Sequence, residues 1–278
     1  MKTLESPVLS IGAGNMAYAI LNGAQNASVL PHDRHAVLDP NSDRRALFAI
    51  AYESPQSAVE WIKDLDGDRP LILLAVKPQM LRDAVQPLID AMNANDCPSC
   101  TWVSILAGSR IDTIQSLVRK DDRVIRVMPN TPAQIGLGMT AIASDNDPEA
   151  SDLNNVRILF EAVGEVIEIP ESMIDAFTAV AGSGPAYLFY LAEGMMRAAE
   201  SIGFSADQAS TIVRQTILGS SQLLTQSADS PSELRAKVTS KNGTTHAATT
   251  TLDKLGVMEA IVAALTAARD RGRELASE

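Results

Sequence analysis

The sequence predicts an α/β protein: an N-terminal domain built on a parallel sheet flanked by helices, followed by an all-α C-terminal domain. Three observations carry this. Short apolar runs alternate with helix-length stretches up to Pro170. A glycine-rich turn, Gly12-Ala13-Gly14, follows the first apolar run. Beyond Pro170 the remaining sequence offers helical patterns and no convincing strand.

Taken in order, Val8-Leu9-Ser10-Ile11 reads as a buried strand that ends at Gly12, and a helical pattern runs from Asn15 through Asn26. Ala36-Val37-Leu38 is a second short strand, with helical stretches expected around Ser42–Ala51 and Pro55–Leu65. Leu71-Ile72-Leu73-Leu74-Ala75-Val76 is apolar at every position, as a strand covered on both faces requires. Pro78 ends it, Gln79–Met92 reads as a helix, and Trp102–Leu106 and Val124–Met128 are further strands. Met139–Ala143 and Glu165–Ile169 are expected to extend the same sheet. Strands alternating with helices imply crossover units. After Pro170, helices are expected at Met173–Ala181, Pro185–Ile202, Ala206–Leu224, Ser232–Val238, Thr245–Leu255 and Met258–Leu275. Runs such as Tyr187-Leu188-Phe189-Tyr190-Leu191 are apolar over much of the helix circumference and must be buried on more than one side, which points to a helical dimer interface. The boundary is expected near residue 170, giving domains 1–170 and 171–278.

The bulk properties exclude several classes. At 278 residues the chain can bury a sizeable core. A net charge of −11 disfavours general nucleic-acid binding. No stretch is long and apolar enough to span a bilayer, and Met1-Lys2-Thr3-Leu4-Glu5-Ser6-Pro7 lacks the apolar core of a signal peptide, so a cytoplasmic location is expected. The cysteines, Cys97 and Cys100, form one Cys-Pro-Ser-Cys motif, which reads as half a metal site, a redox pair or a plain loop pair preceding a strand. No metal site is expected.

The strongest local signal is Ile11-Gly12-Ala13-Gly14-Asn15-Met16-Ala17, a dinucleotide-binding fingerprint with alanine in the third small position. Gly12 permits the tight turn, Gly14 leaves room for a pyrophosphate, and Ala17 lets the helix pack close to the sheet. The helix start then offers free N–H groups to the phosphates. A Rossmann-type domain is therefore expected, with Gly12, Ala13, Gly14, Asn15 and Met16 at the cofactor. Asp39, ending the second strand, suits both ribose hydroxyls and favours NAD, whereas Arg44 and Arg45 suit the 2′-phosphate of NADP; the local alternative is that Asp39 caps the next helix. Ala75-Val76-Lys77-Pro78 and Ala107-Gly108 end the third and fourth strands and face the crevice where such sheets bind ligands. Lys77 also reads as a solvated charge.

These segments, together with Arg126-Val127-Met128-Pro129-Asn130-Thr131-Pro132, Gly182-Ser183-Gly184-Pro185-Ala186-Tyr187 and Gly243-Thr244-Thr245, stand in the order and spacing of pyrroline-5-carboxylate reductases. The chain resembles that family along essentially its whole length. The resemblance implies reduction of the cyclic imine of pyrroline-5-carboxylate to L-proline with NADPH or NADH, the last step of proline biosynthesis. It also implies a homodimer intertwined through the helical domain that often assembles further. Thr245 then matches the position that hydrogen-bonds the substrate nitrogen, Ser183 enters the substrate site, and Asn130 lies near nicotinamide and substrate. Gly243, Thr244 and Thr245 would hold the substrate carboxylate at a helix start.

The chemistry asks little beyond positioning. A protonated imine is already a strong electrophile, and orienting two reactants supplies about 7–11 kcal/mol in favourable cases. Local alternatives remain: Thr244 or Thr245 as a helix cap, Ser183 as interface packing, and Asn130 as a loop residue between two prolines. So do other functions, namely reduction of another cyclic imine or a small oxo acid, or cofactor binding without turnover. A catalytic lysine on the long interdomain helix, usual in hydroxyacid dehydrogenases of similar layout, is missing, since Pro185–Ile202 contains Arg197 but no lysine. Three departures from the family stand out, one being His246 where relatives often have an aliphatic residue, which reads as a proton donor or as a solvated or packed histidine. Lys241-Asn242 replaces the usual Pro-Gly, and Asp39 stands where NADP-using relatives often carry a small hydroxyl residue.

Overall fold

The computed structural model describes residues 3–67, 69–144 and 150–276. Met1 and Lys2, part of the leader reading above, lie outside them. Two compact units result: residues Met1–Ser183 with Ala268–Glu278, and residues Gly184–Ala267.

The first unit opens with β1 (Val8–Ile11), α1 (Asn15–Asn26), β2 (His35–Leu38), α2 (Ser42–Arg45), β3 (Ala51–Tyr52) and α3 (Pro55–Lys63). It continues with β4 (Leu71–Leu74), α4 (Leu81–Ala94), β5 (Thr101–Ser104), α5 (Ile111–Gln115) and β6 (Arg123–Met128). Then come β7 (Gly138–Ala143), α6 (Ala150–Glu161), β8 (Gly164–Glu168) and α7 (Ile174–Phe177). The eight strands form one sheet in the order β3-β2-β1-β4-β5-β6-β7-β8. The order reverses between β1 and β4, whose carboxyl ends open the crevice typical of doubly wound sheets.

The central strands β1, β2, β4 and β5 are buried at every position, and apolar residues dominate them, whereas the edge strands β3 and β8 are partly exposed. Leu9, Ile11, Ile72, Leu74 and Trp102 pack under α3 and α4. Val8, Leu71, Leu73, Val103 and Ile125 pack against Ile20, Leu21 and Ala24 of α1 and Val156, Leu159 and Phe160 of α6.

Two expectations are corrected. The helix expected over Ser42–Ala51 stops at Arg45, and Ala51–Tyr52 instead forms edge strand β3. The outer edge of β2 wins this segment: Val37 N–H donates to Ile50 O at 3.1 Å and Asp39 N–H to Tyr52 O at 3.1 Å. The sheet is also not wholly parallel, because β7 runs antiparallel to β6. Only Pro129 to Leu137 join the two strands, through a 3-10 turn closed by Gly136 at φ 72°, too short for a parallel crossover. The short α5 and the longer α6 were not anticipated.

The second unit comprises α8 (Gly184–Ser201), α9 (Ala206–Gln226), α10 (Pro231–Lys237), α11 (Thr244–Lys254) and the first part of α12 (Val257–Leu275). Ser205 with Gln208 and Ser230 with Glu233 form reciprocal capping boxes that start α9 and α10. The unit leaves large apolar side chains uncovered, Phe189 at 65% and Tyr190 at 79% exposure among them.

A buried ion cluster ties β6 to the segment after β8. Arg126, 2% exposed on β6, pairs with Glu171 at 3.2 Å and Asp175 at 3.7 Å. Glu171 also accepts the Ile111 N–H that opens α5, at 2.7 Å. Removing Glu171 leaves Arg126 with Asp175 at 3.7 Å and takes the acceptor from the Ile111 N–H. Glu171→Ala is expected to destabilise the first unit by about 1–3 kcal/mol, the scale of a buried polar group left without its partner. Denaturant unfolding checks this, and an unchanged midpoint contradicts it.

Candidate active site

The glycine turn is held from three sides. Gly12 has φ 96°, and a Cβ there would lie 2.7 Å from the carbonyl oxygen of Ala75 and 3.1 Å from Val76 Cγ1. Ser10 Oγ donates to Gly12 O at 2.7 Å. The Asp39 carboxylate accepts the Ala13 N–H at 2.8 Å through one oxygen and the Asn41 N–H at 2.8 Å through the other. Asp39 therefore clamps the turn rather than capping α2. Asn41 takes the capping role, accepting from Asp43 and Arg44 N–H.

Gly14 is the N-cap of α1, and no side chain caps that end. A Cβ on Gly14 would meet nothing nearer than Ala75 O at 4.0 Å. The first-turn N–H groups of Asn15, Met16 and Ala17 thus lack intrahelical partners, and open space lies at Gly14. This cradle fits a dinucleotide pyrophosphate. Arg44 donates to Asn15 Oδ1 at 2.9 Å, which brings a guanidinium to the helix start. Arg45 is engaged elsewhere, with Asp39 O at 2.7 Å and Glu53 at 2.7 Å.

Ala75-Val76-Lys77-Pro78 lies beside this turn, with Lys77 exposed. Ala107 and Gly108 follow the neighbouring strand β5. Ala107 is exposed, while the open side of Gly108 faces Leu275 of α12, 3.4 Å from where a Cβ would stand. One strand further, Asn130 is 8% exposed and its amide is used at both ends. Its Nδ2 donates to Ala181 O at 3.0 Å, and its Oδ1 accepts the Met139 N–H at 2.8 Å. Asn130 therefore anchors the segment Thr178–Gly182, a π-helical turn that runs straight into Ser183, whose N–H donates to Thr178 O at 2.8 Å. Such turns in helices recur at functional sites. The π turn, the Asp39 clamp and the Asn130 staple were missed from the sequence. All three rest on hydrogen bonds that no local residue pattern announces.

In the second unit, α11 begins at Thr244 with Gly243 as N-cap and no side-chain cap. Neither Thr244 nor Thr245 caps the helix. One expectation is corrected: the Gly243 N–H is spent on Ser240 O at 3.0 Å, so the free amides are those of Thr244, Thr245 and His246. Asn242 sits at φ 59°, and a Cβ on Gly243 would lie 2.4 Å from Ser240 Oγ.

A doubly wound sheet with an open glycine cradle at its strand-order reversal, followed by helices, defines a two-domain NAD(P)-dependent oxidoreductase. Residues 8–108 match the family described as NADP oxidoreductase, coenzyme F420-dependent, and residues 171–275 match the pyrroline-5-carboxylate reductase dimerisation family. The pyrroline-5-carboxylate reductase of Synechocystis is 36% identical over 268 residues, covering 95% of this chain and 96% of that protein. That of Pseudomonas aeruginosa is 36% identical over 271 residues, covering 96% of each. A solved pyrroline-5-carboxylate reductase from Coxiella burnetii superposes with a TM-score of 0.84 at 29% identity, covering 98% of both chains. The chain belongs to the pyrroline-5-carboxylate reductase family.

The two turn glycines are expected to fail differently on substitution. Gly12→Ala collides with backbone and carries positive φ, so it lowers thermal stability. Gly14→Ala fits the free protein and leaves Tm near wild type, but fills the cradle and weakens NAD(P)H binding. Thermal melts with cofactor titration distinguish them, and equal Tm losses would contradict the assignment.

Proposed function

We propose that the chain reduces 1-pyrroline-5-carboxylate to L-proline with NAD(P)H, the last step of proline biosynthesis, and divides the work between its units. One observation supports this most directly. α3, α9 and α10 are capped by Ser54, Ser205 and Ser230, whereas α1 and α11 start on Gly14 and Gly243 with no side-chain cap. Other starts, such as those of α4 on Met80 and α5 on Arg110, also lack a side-chain cap, but α1 and α11, one in each unit, are the uncapped helices that begin on glycine, and the two reactants bring a pyrophosphate and a carboxylate.

In this reading the α1 amides and the Gly12–Gly14 turn hold the pyrophosphate, and Asp39 and Arg44 face the adenosine ribose. Ala75–Pro78 and Ala107–Gly108 line the path toward the nicotinamide. The reduced nicotinamide, when bound, supplies the hydride. The Thr244 and Thr245 amides pin the substrate carboxylate and so orient the ring. The Thr245 hydroxyl, free of capping duty, meets the ring nitrogen and keeps a proton there as the carbon–nitrogen double bond becomes single. Ser183 borders the ring, and Asn130 acts through the π turn it anchors. A functional boundary near residue 170 is supported by the dimerisation match, which starts at residue 171. A second copy covers the helical domain in a homodimer, and the reaction runs in the cytoplasm, where NAD(P)H is regenerated.

Oxidation of NADH or NADPH with pyrroline-5-carboxylate tests the activity, with other cyclic imines and oxo acids as controls. Thr245→Ala is expected to lower kcat on the order of 10²-fold, the scale of a positioned proton donor, with cofactor Kd unchanged. Loss of cofactor binding to the same degree contradicts that role. Asp39→Asn keeps one acceptor for the glycine turn and removes the charge. It is expected to raise the NADPH-to-NADH ratio of kcat/KM by about tenfold, the effect of removing a like charge beside a phosphate. An unchanged ratio excludes Asp39 as the selector.

A further inference from the structure

The Cys97-Pro98-Ser99-Cys100 segment plays no part in the reaction above. It joins α4 to β5 at the amino-terminal edge of the sheet, opposite the strand ends that carry the glycine cradle. Both thiols are free, and both are buried. Their settings differ. Cys97 lines a surface cavity of about 330 Å³ together with Asn93, Asp96, Ser99, Arg119 and Asp121, whereas Cys100 lies fully buried behind it.

The segment is held by an arginine and an aspartate. Arg119 donates to Cys97 O at 2.8 Å and to Pro98 O at 2.7 Å, and pairs with Asp122 at 2.8 Å. Asp122 accepts the Cys100 N–H at 2.8 Å and the Trp102 indole N–H at 3.0 Å. The backbone around both sulfurs is therefore fixed. The Cys100 S–H has two acceptors in reach, Pro98 O at 3.4 Å and the Cys97 sulfur. A hydrogen bond from Cys100, aided by the Arg119 and Lys63 charges, holds the Cys97 thiol below its ordinary range despite its burial and the opposing Asp122 charge. The Cys100 thiol is pushed up, by the same bond and by burial. This is the asymmetry of an attacking and a resolving cysteine.

We propose that Cys97 and Cys100 form a reversible intramolecular disulfide in response to a hydroperoxide that enters the cavity beside Cys97. The Cys97 thiolate attacks a peroxide oxygen. The O–O bond breaks, hydroxide leaves, and Cys97 becomes a sulfenic acid. The Cys100 sulfur then attacks the Cys97 sulfur. The S–O bond breaks, and hydroxide leaves as water with the Cys100 proton. Two thiols give up two electrons in total, hydrogen peroxide takes them, and a dithiol reductant reverses the change.

The full-length protein is exposed to hydrogen peroxide, and its free thiols and intact mass are followed with time. The expected result is loss of both free thiols and of two hydrogens per chain, without a covalent dimer on a non-reducing gel, restored by dithiothreitol. Cys97→Ala is expected to leave Cys100 as a thiol under the same exposure. Cys100→Ser keeps a donor toward Cys97 and is expected to leave a sulfenic acid there that dimedone traps. Should burial make the Cys100 variant unstable, the wild-type time course with Cys97→Ala still decides. Two thiols that survive exposure, a disulfide only between chains, or equal loss of Cys100 in Cys97→Ala overturns the proposal. The assignment of the reductase activity stands or falls separately, because the pair lies at the other edge of the sheet.

Discussion

The first unit depends on one close approach of backbone to backbone. β1 and β4 are hydrogen-bonded neighbours, and the chain leaving β1 must turn within reach of the Ala75 carbonyl. Only a residue without Cβ fits there, and its φ of 96° lies where other residues are strained. Because the turn is that tight, α1 starts immediately beyond the strand and packs Ala17 against the sheet with no exposed surface. Ser10 and Asp39 brace the turn from both flanks. The result is a helix whose start is rigid, positive and unfinished. Such a start suits an anion.

The second unit reaches the same end by different residues. At the departure Lys241-Asn242, Asn242 stands at φ 59°, and asparagine is among the few non-glycine residues that tolerate that region. Gly243 is retained where a side chain would press on Ser240. What the change adds is charge. Lys241, exposed two residues ahead of Gly243, favours a carboxylate at the helix start.

The central strands and the glycine turn were legible because burial on both faces favours apolar residues, and a tight turn forces glycine. Element ends were less so. Residues 46–52 carry a helical pattern locally, yet the free edge of β2 draws Ile50 to Tyr52 into pairing. The residue types of the proposed site are read from the sequence, but their hydrogen-bond partners are not. Asp39 reads as a ribose ligand, and nothing local announces that its carboxylate also holds an amide 26 residues earlier. Asn130 reads as a ligand or a loop residue, but its amide bridges Ala181, 51 residues on, and Met139. Gly243 reads as an amide donor, but its N–H closes its own turn. Each of these was decided by partners remote in sequence or by a turn geometry that composition does not specify.

The exposed helices of the second unit carry a thermodynamic argument of their own. Among the described residues its buried apolar side chains are Ala199, Ala209 and Val213, all small. Burial that slight cannot offset the entropy of ordering helices of 18 and 21 residues. The missing burial is available on the same helices, in Leu188, Phe189, Tyr190, Leu218 and Val262, all more than half exposed in a single chain. A second copy of the chain supplies the cover, as membership of a family with a dimerisation domain requires. Folding of the helical unit and association of two chains are therefore one event. The start of α11, proposed above to hold the substrate carboxylate, belongs to this same helical unit.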